Sequence, residues 1–271
     1  MAGSLEVNEG TLLHGMPYLS FGAGPPLLLL RGFMTVHANP VGLQRRFEIR
    51  LLAPLARHFR VFAVGRAPGM PSAASMADLA REHAEAIRAE FGTAVDVMGV
   101  SSGGSVALQL AADHPDVVRR LIVVSAGYRL GAAAREAQLR YVVAAAAGRR
   151  GAQYLAPVKV ASPLGARLLA PLMWLLDPLL RPRDTADMVA FAHAEDAFDL
   201  GARLGEITAP TLVIAGDRDN IYSPEILTRT AQDIPEGRLI LYPRTGHGGT
   251  LTNRRFATDV TAFLQNAGGP P

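Results

Sequence analysis

The sequence contains no cysteine, one lysine and one tryptophan. Without cysteine the chain forms no disulfide bond and offers no thiolate nucleophile. Serine is therefore the residue left for nucleophilic catalysis. The absence of cysteine allows a cytosolic protein but does not require one.

No apolar run reaches the ~20 residues that a bilayer-spanning helix needs. The most apolar segment, residues 164–180, is interrupted by two prolines, Arg167 and Asp177. Residues 1–6 lack the basic stretch and apolar core of a signal peptide. We therefore expect a cytoplasmic protein without stable membrane insertion, in which residues 164–180 form a lid or core segment.

An excess of one sign of charge is also nearly absent. The formal net charge is +3, and the arginines that supply it are scattered among acidic residues, so the pattern does not predict a nucleic-acid-binding surface. Hydrophobic residues make up 49% of the 271 residues and charged residues 19%, which predicts a globular chain with a substantial core. The sequence leaves the oligomeric state open, a homodimer included.

Short apolar runs alternate with longer segments of helical spacing along most of the chain, which predicts an α/β fold. Such alternation is typical of a mostly parallel central sheet with helices on both faces. Stretches near Leu12 and Tyr18 are expected to add an antiparallel edge. The predicted parallel strands are 26–30, 60–64, 94–98, 121–124, 212–215 and 239–242.

Three segments carry the signals of helices that cover such a sheet. Ser75 followed by Asp78 resembles a capped helix start, and Ser223 precedes a proline in the first turn of another helix. Residues 256–264 have the spacing of a closing amphipathic helix. We expect these helices to pack on the sheet rather than to bind a partner.

The regular alternation fails between about Gly127 and Gly205, where an alanine-rich helical pattern gives way to apolar segments broken by proline. A cap inserted into the core would produce such an interruption. The sequence therefore predicts a core in two parts, residues 1–127 and 208–271, separated by a helical cap or lid of residues 128–207.

Residues 99–103 read Gly-Val-Ser-Ser-Gly and join the predicted strand 94–98 directly to a helical pattern. A strand, a Gly-x-Ser-x-Gly turn and a helix in this order are typical of a nucleophile elbow. Gly99 and Gly103 would let strand and helix approach closely while the hydroxyl of Ser101 projects into a cleft. A tight structural turn is the alternative. A serine hydroxyl alone is a poor nucleophile, so an elbow requires a histidine and a carboxylate elsewhere.

Two carboxylates, Asp217 and Asp219, follow the predicted strand 212–215. The carboxyl ends of strands are where sites form in an open α/β sheet. Both carboxylates cannot orient one imidazole, so we expect one to serve the histidine and the other to stabilise the turn.

His247 follows the last predicted strand and is flanked by glycines that would let its loop fold back over the elbow. The pattern predicts it as the general base. Other histidines have ordinary explanations: His83 lies within a helical pattern, and His114 precedes a proline at a helix end. His37 and His193 remain candidate residues on the substrate side.

The order serine, carboxylate, histidine resembles that of the α/β-hydrolase superfamily, and the resemblance extends over nearly the whole chain. It rests also on residues 103–108 with His-Pro downstream and on residues 210–214 before the acid. The chain is most similar to the single-cap branch that contains esterases and carbon-carbon bond hydrolases. The resemblance implies an α/β-hydrolase fold with a helical cap, and a catalytic triad of Ser101, Asp219 and His247.

The loop after the first parallel strand departs from the family pattern. Relatives commonly carry His-Gly there, whereas this chain has Arg31-Gly32 followed by Phe33 and Met34. The resemblance implies that the oxyanion hole is formed by the backbone amides of Phe33 and Ser102. Arg31 either bonds nearby loop carbonyls or acts as a cation that attracts an acidic substrate, and Arg31 and Met34 are candidate substrate contacts.

An apolar stripe of the predicted cap, residues 168–175 with Trp174, is expected to face the mouth of the site with one part and to pack on the core with the other. It suggests Trp174 as a substrate contact, for an acyl or alcohol group of moderate hydrophobicity.

The complete triad predicts hydrolysis of a carboxylic ester of a small to medium, moderately hydrophobic molecule through an acyl-enzyme, with no cofactor and no metal. Carbon-carbon bond hydrolysis, perhydrolysis and cofactor-free oxygenation are alternatives on the same fold. A third possibility is a ligand-binding protein that kept the fold without catalysis.

Overall fold

The computed structural model describes residues 5–160 and 162–266. Its centre is one sheet that contains eight strands. These are β1 (Val7–Thr11), β2 (Pro17–Phe21), β3 (Pro26–Leu30), β4 (Arg60–Val64), β5 (Val95–Val100), β6 (Val118–Val124), β7 (Thr211–Gly216) and β8 (Gly237–Tyr242).

The strands lie in the order β1-β2-β4-β3-β5-β6-β7-β8. The pairs β1–β2 and β2–β4 are antiparallel. All other neighbouring pairs, from β4–β3 to β7–β8, are parallel. The predicted parallel sheet with an antiparallel edge is thus confirmed, although β1 ends before Leu12 and β6 begins three residues before the predicted Leu121. Leu30 of β3 pairs with Gly99 of β5, which places the loops after these two strands side by side.

The described residues form nine α-helices, none long and apolar enough to cross a membrane. The predicted starts at Ser75 and Ser223 both cap helices through their side chains. The helices are α1 (Gly42–Leu52), α2 (Met76–Phe91), α3 (Ser102–Asp113), α4 (Ala132–Ala146), α5 (Ala156–Lys159), α6 (Pro163–Leu180), α7 (Ala186–Asp196), α8 (Pro224–Asp233) and α9 (Phe256–Asn266).

Both faces of the sheet are buried, because side chains alternate along each strand. In β3, Leu28 and Leu30 belong to the core beneath α2, α3 and α8, whereas Leu27 and Leu29 belong to the core beneath α1 and α9. Burial of a leucine side chain stabilises the fold by ~1.5–3 kcal/mol. The two cores therefore hold the carboxyl ends of the central strands firmly in place.

Helices α4 to α7 lie between β6 and β7, where the described residues include no strand. Tyr141 and Val142 of α4 pack against Met188 and Ala192 of α7, and Phe33 of the core joins this cluster. Within the stripe at 168–175, Leu168, Leu172, Trp174 and Leu175 are exposed, whereas Leu169 and Met173 are half-buried. The main neighbours of α6 are α5 and the turn at 152–155, so the exposed members of the stripe do not pack on the core as expected.

Helix α7 carries a carboxyl group, that of Glu195, into the core. The side chain is fully buried and accepts hydrogen bonds from Gln138 (3.0 Å) and from the hydroxyls of Ser105 and Tyr222 (3.4 Å each). Burial raises the pKa of Glu195 above its usual range, against the smaller effects of the hydrogen bonds and of nearby Arg66. The folded chain therefore favours the protonated acid.

Glu195→Gln should stabilise the protein increasingly as the pH rises. At pH 4 both side chains are neutral, and the variant should match the wild type. Above the ordinary range of a glutamate, the unfolded wild type releases its proton more readily than the folded chain does, so the wild type loses stability as the pH rises. We expect the stability of the variant relative to the wild type to increase from pH 4 to pH 8, measured by urea unfolding. Glu90→Gln, at an exposed site, should show no such trend. A stability difference between Glu195→Gln and the wild type that shrinks as the pH rises would contradict the raised pKa of Glu195.

Candidate active site

Ser101 lies at the sharp turn between β5 and α3. Its backbone adopts φ 53° and ψ −128°, a conformation that costs a non-glycine residue ~1–3 kcal/mol. Strand and helix approach so closely that a Cβ atom at Gly99 would lie 2.6 Å from the Cα of Gly104, and one at Gly103 2.6 Å from the carbonyl oxygen of Arg31. Only glycine fits these positions, as the elbow pattern predicts.

The side chains of Ser101, His247 and Asp219 lie in one hydrogen-bonded row. Nε2 of His247 is 3.0 Å from Oγ of Ser101, and its Nδ1 is 2.8 Å from Oδ2 of Asp219. Three loops that follow β5, β7 and β8 bring these residues together at one edge of the sheet. The imidazole can therefore exchange a proton with the serine while the carboxylate fixes its orientation.

Asp219 is buried and rigidly held. Its Oδ1 accepts hydrogen bonds from the amides of Ile221 (2.8 Å) and Tyr222 (3.1 Å), which leaves Oδ2 for the imidazole. Asp217 is exposed and accepts instead from the amide of Thr245 at 3.2 Å. The second carboxylate thus ties the loop of the histidine to the end of β7.

Tyr222 supports the imidazole from behind, and sequence reasoning missed it. Its ring stacks on that of His247 with centroids 6.2 Å apart and an angle of 20°. The phenol is fully buried, which raises its pKa well above the usual range, and its oxygen lies 3.2 Å from Oγ of Ser105. In the sequence, only its position three residues after Asp219 indicates that Tyr222 could lie near His247.

The loop after β3 packs directly against the elbow. A Cβ atom at Gly32 would lie 3.0 Å from the carbonyl oxygen of Val100 and 3.3 Å from Cβ of Ser101. The amides of Phe33 and Ser102 donate to no protein acceptor within residues 5–160 and 162–266. These two amides are therefore free donors next to the elbow, and their role as an oxyanion hole stays a prediction.

Arg31 is a buried partner in an ion pair. It donates to both carboxylate oxygens of Glu48, the shortest contact being 2.7 Å, and to the amide oxygen of Asn39 at 3.1 Å. The expected bonds to loop carbonyls are absent from the described residues, because α1 supplies a carboxylate instead. Glu48 compensates the charge of Arg31, so the arginine is poorly suited to attract an acidic substrate.

A second arginine, Arg66, supports the same loop and was not predicted. Its Nη1 donates to the carbonyl oxygens of Gly32 (3.1 Å) and Arg31 (3.4 Å), and its guanidinium lies over the ring of Phe191 in α7 at 3.7 Å. The side chain is almost fully buried, which lowers the pKa of Arg66 to about 10. It stays charged at neutral pH, and its Nη2 has no hydrogen-bond partner in the described part of the chain.

The two other candidate histidines lie outside the row. His37 is buried, with Nδ1 2.8 Å from the carbonyl oxygen of Ala67 and Nε2 accepting from Arg66 at 3.3 Å. Burial lowers the pKa of His37, so the ring is neutral beside the guanidinium. His193 is exposed on α7 and lines a different cavity, beside Ser75. Neither one contacts Ser101 or His247.

A cleft of about 220 Å³ opens beside the elbow, between α1 and the loop after β3. Of the candidate substrate contacts, Arg31 and Met34 line it, whereas Trp174 does not and instead lies under the guanidinium of Arg150 at 3.8 Å. Val100, which precedes Ser101, and Gly32, which packs against it, are part of the lining, whereas Ser101 and His247 are not. The lining of the cleft comprises Leu29, Arg31, Gly32, Phe33, Met34, Pro40, Gln44, Phe47, Glu48, Leu51, Leu52, Val100 and Leu251.

Known proteins resemble this chain over most of its length. RutD of Variovorax paradoxus, named a carbamate hydrolase, is 31% identical over 221 residues, which cover 76% of this chain and 79% of that protein. A pimeloyl-acyl-carrier-protein methyl ester esterase of Neisseria meningitidis is 29% identical over 194 residues, 67% of this chain and 74% of that one.

Among solved structures, an α/β-hydrolase enzyme from a Medee basin deep-sea metagenome library superposes with a TM-score of 0.76 and 18% identity. The match covers 94% of this chain and 96% of that one, and it shows that the two proteins share a fold. The family model for the α/β-hydrolase fold matches residues 25–253, which include the elbow and the strand ends that carry the row. The chain therefore belongs to the α/β-hydrolase family of enzymes.

Proposed function

We propose that the protein is a serine hydrolase that cleaves a carboxylic ester through an acyl-enzyme formed on Ser101. The observation that carries this proposal is the hydrogen-bonded row of Ser101, His247 and Asp219. It has the geometry in which a base, oriented by a buried carboxylate, activates a nucleophile.

In the first half-reaction Nε2 of His247 takes the proton of Ser101 as Oγ bonds to the acyl carbon. The tetrahedral intermediate collapses, the bond to the alcohol oxygen breaks, and the imidazolium returns its proton to that oxygen. Water then attacks the acyl-enzyme with His247 again as base, which releases the carboxylic acid and restores the serine.

The amides of Phe33 and Ser102 stabilise the oxyanion in both steps. Ser102 directly follows the serine, Phe33 follows Gly32, which packs against Ser101, and neither amide has a protein acceptor in the described residues. Removal of one such donor typically costs ~3 kcal/mol of transition-state stabilisation. Arg66 acts as a positioning residue for the first donor. The carbonyl of Gly32 and the amide of Phe33 belong to one planar peptide, so a hydrogen bond from Arg66 to the carbonyl fixes the orientation of the N–H and polarises it.

The cleft beside the elbow suits the apolar part of the substrate. Its walls are largely aliphatic and aromatic, and a volume of about 220 Å³ admits a short acyl or alcohol chain. A methyl ester esterase among the relatives is consistent with ester cleavage. A carbamate is a second candidate substrate, because the RutD relative is named a carbamate hydrolase and a carbamate carbonyl can be attacked by the same row.

Replacement of the three proposed catalytic residues should abolish turnover of p-nitrophenyl esters without unfolding the chain. We expect Ser101→Ala to lose all labelling by a fluorophosphonate, and Asp219→Asn to lower kcat by about 10⁴ because the imidazole takes the wrong tautomer. Asp217→Asn is the matched control, since Asp217 bonds the amide of Thr245 and not His247; it should stay near the wild type. Undiminished esterase activity of Ser101→Ala would refute the proposal.

Arg66→Met should lower kcat by about tenfold or more while KM changes little, because the Phe33 amide matters mainly when the oxyanion forms. Binding of a trifluoromethyl ketone, which presents an oxyanion to the hole, should weaken in parallel. Arg66→Lys should recover part of both. If Arg66 had a merely structural role, its replacement would instead lower the melting temperature and raise KM together with the loss of kcat. That pattern would reject Arg66 as a positioning residue.

Met34→Trp should shift the preference of the enzyme toward the shortest esters. The indole would fill part of the cleft, so kcat/KM for p-nitrophenyl hexanoate should fall while that for the acetate stays near the wild type. Val36→Trp provides the control, since Val36 is exposed and does not line the cleft. Equal losses for both esters, or equal effects of both variants, would place the acyl chain elsewhere.

A further inference from the structure

Helix α6 presents a row of exposed leucines to solvent. The row, here named the α6 leucine face, consists of Leu164, Leu168, Leu172, Leu175 and Leu179, which are 51–81% exposed. Their spacing of three and four residues places them on one side of the helix. Trp174 extends the face with a half-exposed ring. Contiguous apolar surface of this kind marks a site of interaction with a membrane or another protein.

The orientation of this face is fixed by the opposite side of the helix. Asp177 is buried there, and its Oδ1 accepts hydrogen bonds from the amides of Gly151 (3.2 Å) and Ala152 (2.9 Å). Ala166 is also buried on the inner side. Rotation of α6 to hide the leucines would expose this carboxylate and break both bonds, so the face is built into the fold.

The surroundings of α6 hold the positive charge of the protein. Residues 149–183 contain six cationic side chains and a single carboxylate, Asp177, which is buried. This excess of five positive charges exceeds the formal net charge of +3, so the rest of the chain carries a net charge of −2. The cationic residues are Arg149, Arg150, Lys159, Arg167, Arg181 and Arg183.

We infer that the α6 leucine face docks on the surface of an anionic lipid bilayer. An apolar helix face flanked by arginine and lysine lies in the plane of such a surface, with leucine and tryptophan among the acyl chains and the cations at the headgroups. At 1.5 Å per residue the 18 residues of α6 extend about 27 Å along the membrane. Peripheral binding of this kind needs no spanning helix.

A second copy of the chain is the competing occupant, and the charge pattern disfavours it. A symmetric dimer through this face would bring the six cations of one chain near those of the other, with Asp184, next to Arg183, as the exposed carboxylate beside this segment. An anionic membrane supplies the missing negative charge. Hydrophobic and electrostatic contributions then act in the same direction.

Flotation of the full chain with vesicles tests the inference, independently of any activity of Ser101. We expect binding to equimolar phosphatidylglycerol and phosphatidylcholine, much weaker binding to phosphatidylcholine alone, and release by high salt. Leu168→Ser with Leu175→Ser should weaken binding about tenfold. Val41→Ser with Leu43→Ser, which changes equally exposed apolar residues at the start of α1, should leave it unchanged.

The charge contribution has its own pair of variants. Arg167→Gln with Arg183→Gln should weaken binding to the anionic vesicles about tenfold, whereas Arg46→Gln with Arg238→Gln, at exposed sites outside the segment, should not. Sedimentation without lipid identifies the competing occupant. A dimer that dissociates in the double serine variant of α6, together with absence of vesicle binding, would overturn the inference. So would equal binding to both kinds of vesicle.

Discussion

The close approach of β5 and α3 at the elbow is the constraint on which the site depends. Strand and helix meet backbone to backbone at Gly99, Gly103 and Gly104, where a Cβ atom would clash with main-chain or core atoms. This contact forces Ser101 into positive φ and lifts its side chain out of the sheet. It also brings the start of α3 beside the loop after β3, so that two backbone amides lie near the same hydroxyl. The local strain is tolerated because the two hydrophobic cores fix both elements.

Helix α7 joins the segment between β6 and β7 to this arrangement at two points one helical turn apart. Phe191 covers the guanidinium of Arg66, which holds the carbonyl of Gly32, and Glu195 reaches the hydroxyls around the start of α3. Burial raises the pKa of Glu195, whereas Arg66 keeps its charge at neutral pH because its pKa falls only to about 10. Burial thus disfavours a negative charge at Glu195 and leaves a positive one at Arg66.

Local signals made much of the fold predictable. The six parallel strands are mostly apolar, with few charged residues within them, and the elbow is a contiguous motif whose order of strand, turn and helix needs no tertiary information. Helix α1 escaped prediction because it is polar and its N-cap residue, Val41, offers no capping side chain. The serine and the histidine could be predicted from the sequence since each follows a predicted strand, whereas Asp219 could be chosen over Asp217 only through the resemblance to the family. Arg66 could not, because its partners come from the loop after β3 and from α7, and only the folded chain brings them together.

The two apolar surfaces of the protein differ in a way that hydropathy alone could not reveal. Leucines 168–175 predicted a partly buried stripe, yet most of them are exposed, because the buried side of α6 is occupied by Asp177 and small residues. The cleft at Met34, in contrast, has walls from α1 and from the loop after β3 and a volume of only about 220 Å³. A cleft of that size holds one chain of a substrate, whereas the open α6 leucine face has no walls to select a small ligand. Its leucines are therefore better suited to an extended surface than to a substrate molecule. The proposed docking surface and the proposed substrate cleft are thus two different parts of the protein.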